Sequence, residues 1–465
     1  MENIIRRNAG EKISMRINIV YEVNHREYNN CLLLQRELKR RGYDARIYNK
    51  TEDIVLFGNS KSITVIPNSY NTEDINHYRY TFNTKNELMI VYPCEQVTNH
   101  IMPDTFDYTE NNLAKKYPHL CWSEDYYEFL NTLGYDMKFS SVVGAIQLDY
   151  CRPEFKDFYL SREEIARKFE LDENKKWILF ISDFVLDNEL KYQSMLKSKV
   201  ISKNVLDERR NHERASAKMI LEWFDTFLST HKEYILIYRK HPVEALSETI
   251  VKFQKNKPNQ VYLISEYSIK DWIMNVDRIT TWNSTSSVEC YGAKKKIHLL
   301  RPIPFDENKG IKEYPFFRSF YHIDCYETFE KNLDTDNMSY SSEAIKEINK
   351  LYSIEEIPSF IRVADKIEEI GRTWKCGNVE KNYYFNKWKY IIKKQRIPRI
   401  IIKKILETLY YYFGMKIGKQ NDARLAVNEW MATADNKKHR RKREKQLDSI
   451  IHKYHEKGEE TTWKN

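Results

Sequence analysis

The sequence predicts an α/β protein built from two doubly wound, Rossmann-like domains and a basic C-terminal helical extension. Three observations predict it. From residue 15 to about 330, apolar strands alternate with helical stretches, the rhythm of parallel sheets joined by crossing helices. At 465 residues the chain exceeds one ordinary core, so two domains are expected. The excess positive charge is confined to residues 381–420, where nine Lys and two Arg face one Glu. That local balance of +10, set against a net +9, leaves −1 for everything else.

"MRINIVYEV" reads as a buried strand, and "YNNCLLLQRELKRRGYDARIY" supplies a helix, a Gly stop and a second strand. Short strands follow at "DIVLF", "SITVI" and "ELMIVY". "AKKYPHLCWSEDYYEFLNTLGYDMKFSSVVGAIQLD" then gives strand, helix, strand and a loop ending at Asp149, a turn or hinge residue. This sets the first domain at 15–150 and the connection at 151–175, which contains a short amphipathic helix. A second domain at 176–375 opens with "KWILFISDF" and continues through "EYILIY", "QVYLIS", "RITTW" and "KIHLLRP", with helices between them. Residues 340–374 read as its terminal helices, and 376–465 as the basic aromatic tail.

An apolar content of 41% with 31% charge excludes a disordered or collagen-like chain. The seven cysteines stand singly, with no CxxC pair, which fits a reducing compartment and gives no zinc signature. The first residues lack the apolar core of a signal peptide, and no run approaches the ~18 residues of a membrane span. A cytoplasmic location is the expectation.

Two stretches carry the chemistry. In "EYILIYRKHPVEA" an apolar strand runs into Arg239, Lys240 and His241. Pro242 holds His241 extended, because the residue before a proline is pushed out of the helical region. In a doubly wound sheet the carboxyl ends of the strands line the ligand crevice. An imidazole beside two cations at such an end suits a phosphate group. In "DRITTWNSTSSVECYG", Ser284, Thr285, Ser286 and Ser287 precede a helix, and Ser286 to Glu289 has capping-box spacing. Hydroxyls and free N–H groups at a helix start form a second phosphate-reading element. A lone His-Pro or a Ser/Thr cap is usually structural; the pair at matching strand ends points to a nucleotide-activated substrate.

"YRKHPVE" followed by "WNSTSSVECYGAKKKIHLL" resembles the HP and ST/SS motifs of bacterial GT-B glycosyltransferases of surface-carbohydrate and capsule synthesis. In outline these motifs are shared by Kdo transferases, bacterial sialyltransferases and CDP-glycerol glycerophosphotransferases. "CWSEDYYEFLNTLGYDMKFSSVVGAIQLD" is similar to their Trp…Gly…Gly-x-x-x-x-Asp segment. The resemblance implies a GT-B fold, two Rossmann-like domains facing a cleft, with a nucleotide sugar (a CMP-sugar favoured) on the second domain. It implies a glycan or lipid-linked acceptor on the first. His241 would meet the donor phosphate, Ser284 and Thr285 would bind it with Ser286 and Ser287 nearby, and Glu289 would orient the ribose or cap its helix. Ser287 stands where the family pattern has a glycine. The alternatives are a teichoic-type glycerophosphotransferase and a catalytically silent scaffold.

A base on the acceptor hydroxyl is expected from the first domain. Glu95 follows the strand of "MIVYPCEQVTNH", and His25, Arg26 and Glu27 follow the opening strand. No DxD motif stands where a metal-dependent GT-A enzyme would present one, and GT-B transferases generally stabilise the leaving diphosphate with side chains and helix dipoles, so no metal and no cofactor is expected. The 381–420 segment interleaves cations with aromatics and aliphatics. It fits either an anionic membrane surface or a helix packed on the first domain. "KKHRRKREK" reads as a solvated charge run; without an organised stacking platform, nucleic acid is not an expected partner.

Overall fold

The opening apolar run forms β1 (Arg16–Tyr21), followed by α1 (Asn24–Arg40), β2 (Asp44–Asn49), β3 (Ser62–Ile66), α2 (Thr72–Phe82) and β4 (Glu87–Val91). These strands make one parallel sheet in the order β2-β1-β3-β4. Edge strand β2 exposes Asp44 and Arg46, whereas the near-continuous apolar character of β1 follows from burial on both faces. The exception, Asn18 in β1, donates to Thr64 Oγ1 of β3, its register partner, at 3.2 Å. The strand expected at "DIVLF" does not form over 53–55, and its last two residues lie outside the described part. The computed structural model describes residues 15–22, 24–51, 53–55, 62–82, 87–94, 96, 109–198, 202–241, 243–306, 313, 315–335, 340–373, 382–394, 405 and 437–462.

A two-stranded parallel sheet follows, with β5 (Leu120–Cys121), α3 (Glu124–Thr132) and β6 (Ser141–Val142), then the short α4 (Ile146–Asp149). The second sheet begins after α5 (Arg162–Phe169) with β7 (Lys176–Ile181). α6 (Glu189–Ser198) and α7 (Lys203–Thr230) lead to β8 (Tyr234–Arg239), and α8 (Glu248–Asn256) to β9 (Val261–Leu263). Next come α9 (Ile269–Asn275), β10 (Arg278–Thr281), α10 (Ser287–Gly292), β11 (His298–Leu300) and β12 (His322–Ile323). The order β12-β11-β10-β7-β8-β9 is the doubly wound Rossmann arrangement. The two threonines of "RITT" fit inside it because Thr280 and Thr281 donate to the carbonyls of Leu179 and Ile181 at 3.2 and 2.8 Å.

After α11 (Tyr326–Thr335) the chain continues through α12 (Ser342–Tyr352), α13 (Ser359–Thr373), α14 (Tyr383–Lys393) and α15 (Lys437–Thr462). The chain divides into one unit of Met1–Asp149 with Lys350–Asn465, and another of Tyr150–Asn349. Residues 350–375, expected with the second sheet, therefore group with the first.

The residues of the Trp…Gly…Gly-x-x-x-x-Asp segment explain that return. Trp122 stacks on Tyr352, with ring centroids 5.9 Å apart. Gly134 (φ +75°) closes α3 in a left-handed turn, with Tyr135 N–H donating to Leu130 O at 3.2 Å. Gly144 (φ +76°) leaves room for Ser359 and Arg362, which a Cβ there would strike. Asp149, read as a turn or hinge, is instead the cap of α13. Its carboxylate accepts from the N–H groups of Ser359 and Phe360 at 2.9 and 2.7 Å.

α15 docks on α1 through buried Leu447, Ile450 and Ile451, through Arg36 Nε to Asp448 at 2.7 Å, and through His455 to Glu37 at 3.3 Å. "KKHRRKREK" is thus the first turns of a helix whose later turns are anchored. Among the described residues, no helix is long and apolar enough to cross a membrane.

Candidate functional site

β8 delivers Arg239 to its carboxyl end, and Lys240 and His241 follow directly. The loop is built around Glu244, which is 3% exposed. Its carboxylate accepts from the hydroxyls of Ser182 and Tyr238, both at 2.7 Å. It also accepts from the backbone N–H of His241 at 3.2 Å and of Phe184 at 3.3 Å. Burial pushes the Glu244 carboxyl above the usual carboxylate range, against the pull of these donors. Val243 N–H donates to His241 Nδ1 at 3.2 Å. With that lone pair occupied, the ring proton of neutral imidazole sits on Nε2, leaving an N–H donor there. Burial, with Lys191 and Lys240 nearby, lowers the His241 pKa and keeps the ring neutral. Pro242 lies outside the described residues.

The neighbouring cations are engaged locally. Arg239 donates from its two terminal nitrogens to the carbonyls of Glu266 and Tyr267 at 2.9 and 2.6 Å, bracing the loop after β9. Lys240 Nζ donates to Glu244 O at 3.1 Å.

The serine-rich turn after β10 departs from the expected capping box. Ser286 makes no side-chain cap bond. Ser284 does the capping instead: its Oγ accepts from Ser286 N–H at 3.3 Å, and its carbonyl accepts from Ser287 N–H at 3.2 Å. Ser287 is fully buried and donates its hydroxyl to Ser284 O at 3.0 Å, an internal brace at the position where the family pattern has glycine. Thr285 is exposed and Ser286 half-buried, so neither side chain is closed inside the turn. Glu289 pairs with Lys270 of α9 rather than with its own helix start.

Sheet order decides what comes together. β7 lies between β8 and β10, so the His241 and Ser284 loops flank the end of β7, roughly 10 Å apart at two strand spacings. The strand order reverses between β7 and β10, where doubly wound sheets bind ligands. Asp183, two residues past β7, belongs to this crevice and was not singled out from the sequence. It is half-buried, and burial with Glu213 and Glu244 nearby raises its pKa well above the carboxylate range. A neutral carboxyl there is a hydrogen-bond donor. The legible signal was an Asp placed directly after the apolar run "KWILFIS".

In the first unit, His25, Arg26 and Glu27 lie in the first turn of α1 rather than on a loop. The side chains of His25 and Arg26 are outside the described residues, as is the whole of Glu95. Glu27 is buried and accepts from Glu22 N–H at 2.7 Å. It lines a largely apolar pocket of about 450 Å³ at the carboxyl ends of β1 and β3, with Ile19, Val65, Tyr92, Cys94 and Trp122. The order β2-β1-β3 reverses at this point, so the pocket sits at the switch point of its own sheet. Among the described residues, no group of three or more His, Cys, Asp or Glu could hold a metal ion.

No protein-family model matches the chain, and no curated protein does. Among solved structures, a variant of the wall teichoic acid polymerase TagF is similar at 12% identity. It covers 78% of this chain and 90% of that one, with a TM-score of 0.47. The UDP-GlcNAc 2-epimerase from Neisseria meningitidis bound to UDP-GlcNAc is similar at 9% identity, covering 77% and 99%, with a TM-score of 0.45. The S. aureus MnaA–UDP structure is similar at 10% identity, covering 79% and 100%, with a TM-score of 0.43. At these values the likenesses carry no assignment, and the two-unit parallel α/β fold rests on the chain's own strand order and register.

Proposed function

We propose that this chain is a transferase of surface-glycopolymer assembly that binds a nucleotide-activated donor on its second unit and its acceptor on the first. One observation carries the donor reading. Glu244 and the Val243 N–H fix the His241 ring as a neutral Nε2–H donor, one strand from the switch point that the Ser284 turn borders. Nε2–H, the Thr285 and Ser286 hydroxyls and, when protonated, Asp183 would together donate to the donor phosphates. Such donors stabilise the charge that builds on the leaving nucleotide. His241 acts here as a donor; a proton transfer would need the imidazolium, which its surroundings disfavour. Glu27 and Glu95 are the candidates for the acceptor base, and the apolar pocket beside Glu27 would receive the acceptor.

A nucleotide sugar, a CMP-sugar among them, and CDP-glycerol are the two donor readings. Both leave a nucleotide on the same donors, so the site chemistry is common to them. They differ in the bond broken: carbon–oxygen for a sugar, phosphorus–oxygen for a phosphoryl alcohol. CDP-glycerol and UDP-GlcNAc, the ligands named with the similar structures, join CMP-sugars in the test panel. Each is labelled in the transferred group and offered with a lipid-linked acceptor. Transfer of label abolished by His241→Ala supports the reading. Transfer that survives the substitution removes His241 from the reading, and binding of none of the nucleotides removes the donor site and leaves the silent scaffold.

A further inference from the structure

From sequence, residues 381–420 fit either a packed helix or a membrane-binding surface; α14 packs one side and exposes apolar residues on the other. Successive residues turn by about 100° in a helix. Tyr383, Lys387, Tyr390 and Ile391 therefore share one side, and these are the side chains that dock. Tyr383 OH donates to Arg79 O at 2.8 Å, Tyr390 OH bonds His77 at 3.0 Å, and Ile391 is fully buried. Lys387 turns inward with them, 1% exposed, its Nζ on Val55 O at 2.5 Å. The orientation of α14 is thus fixed by polar anchors as well as by packing.

The opposite side presents exposed apolar residues. Phe385 and Ile392, two turns apart, are 70% and 65% exposed, with half-buried Trp388 beside them and Tyr384 at the edge. Lys389 and Lys393 flank this stripe and are exposed, and the helix contains no acidic residue. We infer that the Phe385–Ile392 stripe of α14 docks on an anionic lipid bilayer, lying in the plane of the interface. Aromatic and aliphatic side chains enter the headgroup–acyl boundary while the flanking lysines meet lipid phosphates. A protein partner fits the face poorly. An 11-residue helix is about 16 Å long, and one stripe of it falls far short of the ~800 Å² per partner of a stable protein interface. The residues after α14 continue the same composition in sequence, and Ile405 is also exposed.

The test uses the full chain with vesicles of phosphatidylcholine alone or mixed with phosphatidylglycerol, read by co-sedimentation. The wild type is expected to pellet with the anionic vesicles only. Phe385→Asp with Ile392→Asp is expected to lower that partitioning by about tenfold or more, with an unchanged melting temperature because both side chains face outward. Lys389→Glu with Lys393→Glu is expected to weaken it and reduce its salt sensitivity. Wild-type binding by the Asp pair overturns the proposal and assigns attachment to charge alone. Indifference of the wild type to anionic vesicles also overturns it. So does an oligomer, seen by analytical ultracentrifugation, that the Asp pair dissolves, since the face would then cover a second copy of this chain. No nucleotide enters the measurement, so its failure and that of the transfer reading are separable.

Discussion

Nδ1 of His241 accepts a hydrogen bond from the backbone N–H of Val243 at 3.2 Å. This contact commits the ring to one tautomer before any ligand arrives and leaves Nε2–H to recognise an anion. His241→Ala is expected to weaken nucleotide binding by roughly 10- to 100-fold, the worth of one hydrogen bond to a charged group. His241→Gln, whose amide reaches the Nε2 position, is expected to recover part of it. Calorimetric titration with CMP, CDP and UDP checks both; equal affinities for wild type and alanine variant would contradict the assignment.

Glu244 should matter through geometry. Glu244→Ala leaves two hydroxyls and two backbone N–H groups without their acceptor, an expected loss of about 2–4 kcal/mol in unfolding free energy. Glu244→Gln keeps an acceptor oxygen for Ser182, Phe184 and His241, so a loss below about 1 kcal/mol is expected. Urea denaturation of the two variants distinguishes them.

Asp149→Ala removes the cap of α13, and a loss of about 1–3 kcal/mol is expected, since two buried N–H groups go unpaired. Asp149→Asn should lose less. Were Asp149 only a turn residue, both variants would unfold like the wild type.

Two buried groups contribute to the acid response. His119 is 1% exposed, and burial lowers its pKa to about 4, against the partial help of its bond to Tyr117 O. Unfolding lets it take up a proton at ordinary pH, so stability falls as pH drops from about 6.5 towards 4, by roughly 3 kcal/mol in all. His119→Asn, whose amide can keep the bond to Tyr117 O, should flatten that limb of the stability–pH curve.

Glu37 acts lower. Burial raises its pKa, but bonds from Arg40 and His455 and the charge of Arg41 outweigh it and hold the carboxyl at about 2. Its contribution is complete above the unfolded value near 4.5 and fades as pH falls towards 2. Glu37→Gln should lower stability at neutral pH and remove the fade, as thermal melts across pH 2–6 would show.

The alternating apolar runs were legible because parallel strands buried on both faces must be apolar, as in "NIVY", "WILFI" and "YILIY". The His241 loop was legible because a short polar run at a strand end has one place to go in such a sheet. Pairing across the sequence was hidden. Nothing near Asp149 announces Ser359 as its partner, and Lys387 reads as a surface cation until Val55 O is placed against it. The capping box at Ser286 failed because the Ser284 hydroxyl, two residues earlier, holds the Ser286 N–H that Glu289 would have taken, while Glu289 pairs with Lys270.

By itself the sequence determined two α/β repeats, the strand ends that carry His241 and Ser284, and a late cationic segment, since periodicity and local backbone preference are written in neighbouring residues. Only the tertiary structure decided that β7 separates those loops, that Asp183 follows β7 between them, that the last described helices group with the first unit, and that Phe385 and Ile392 of α14 stay exposed. Those outcomes depend on hydrogen bonds and packing between residues hundreds of positions apart, whose free energy exists only once the chain has closed on itself.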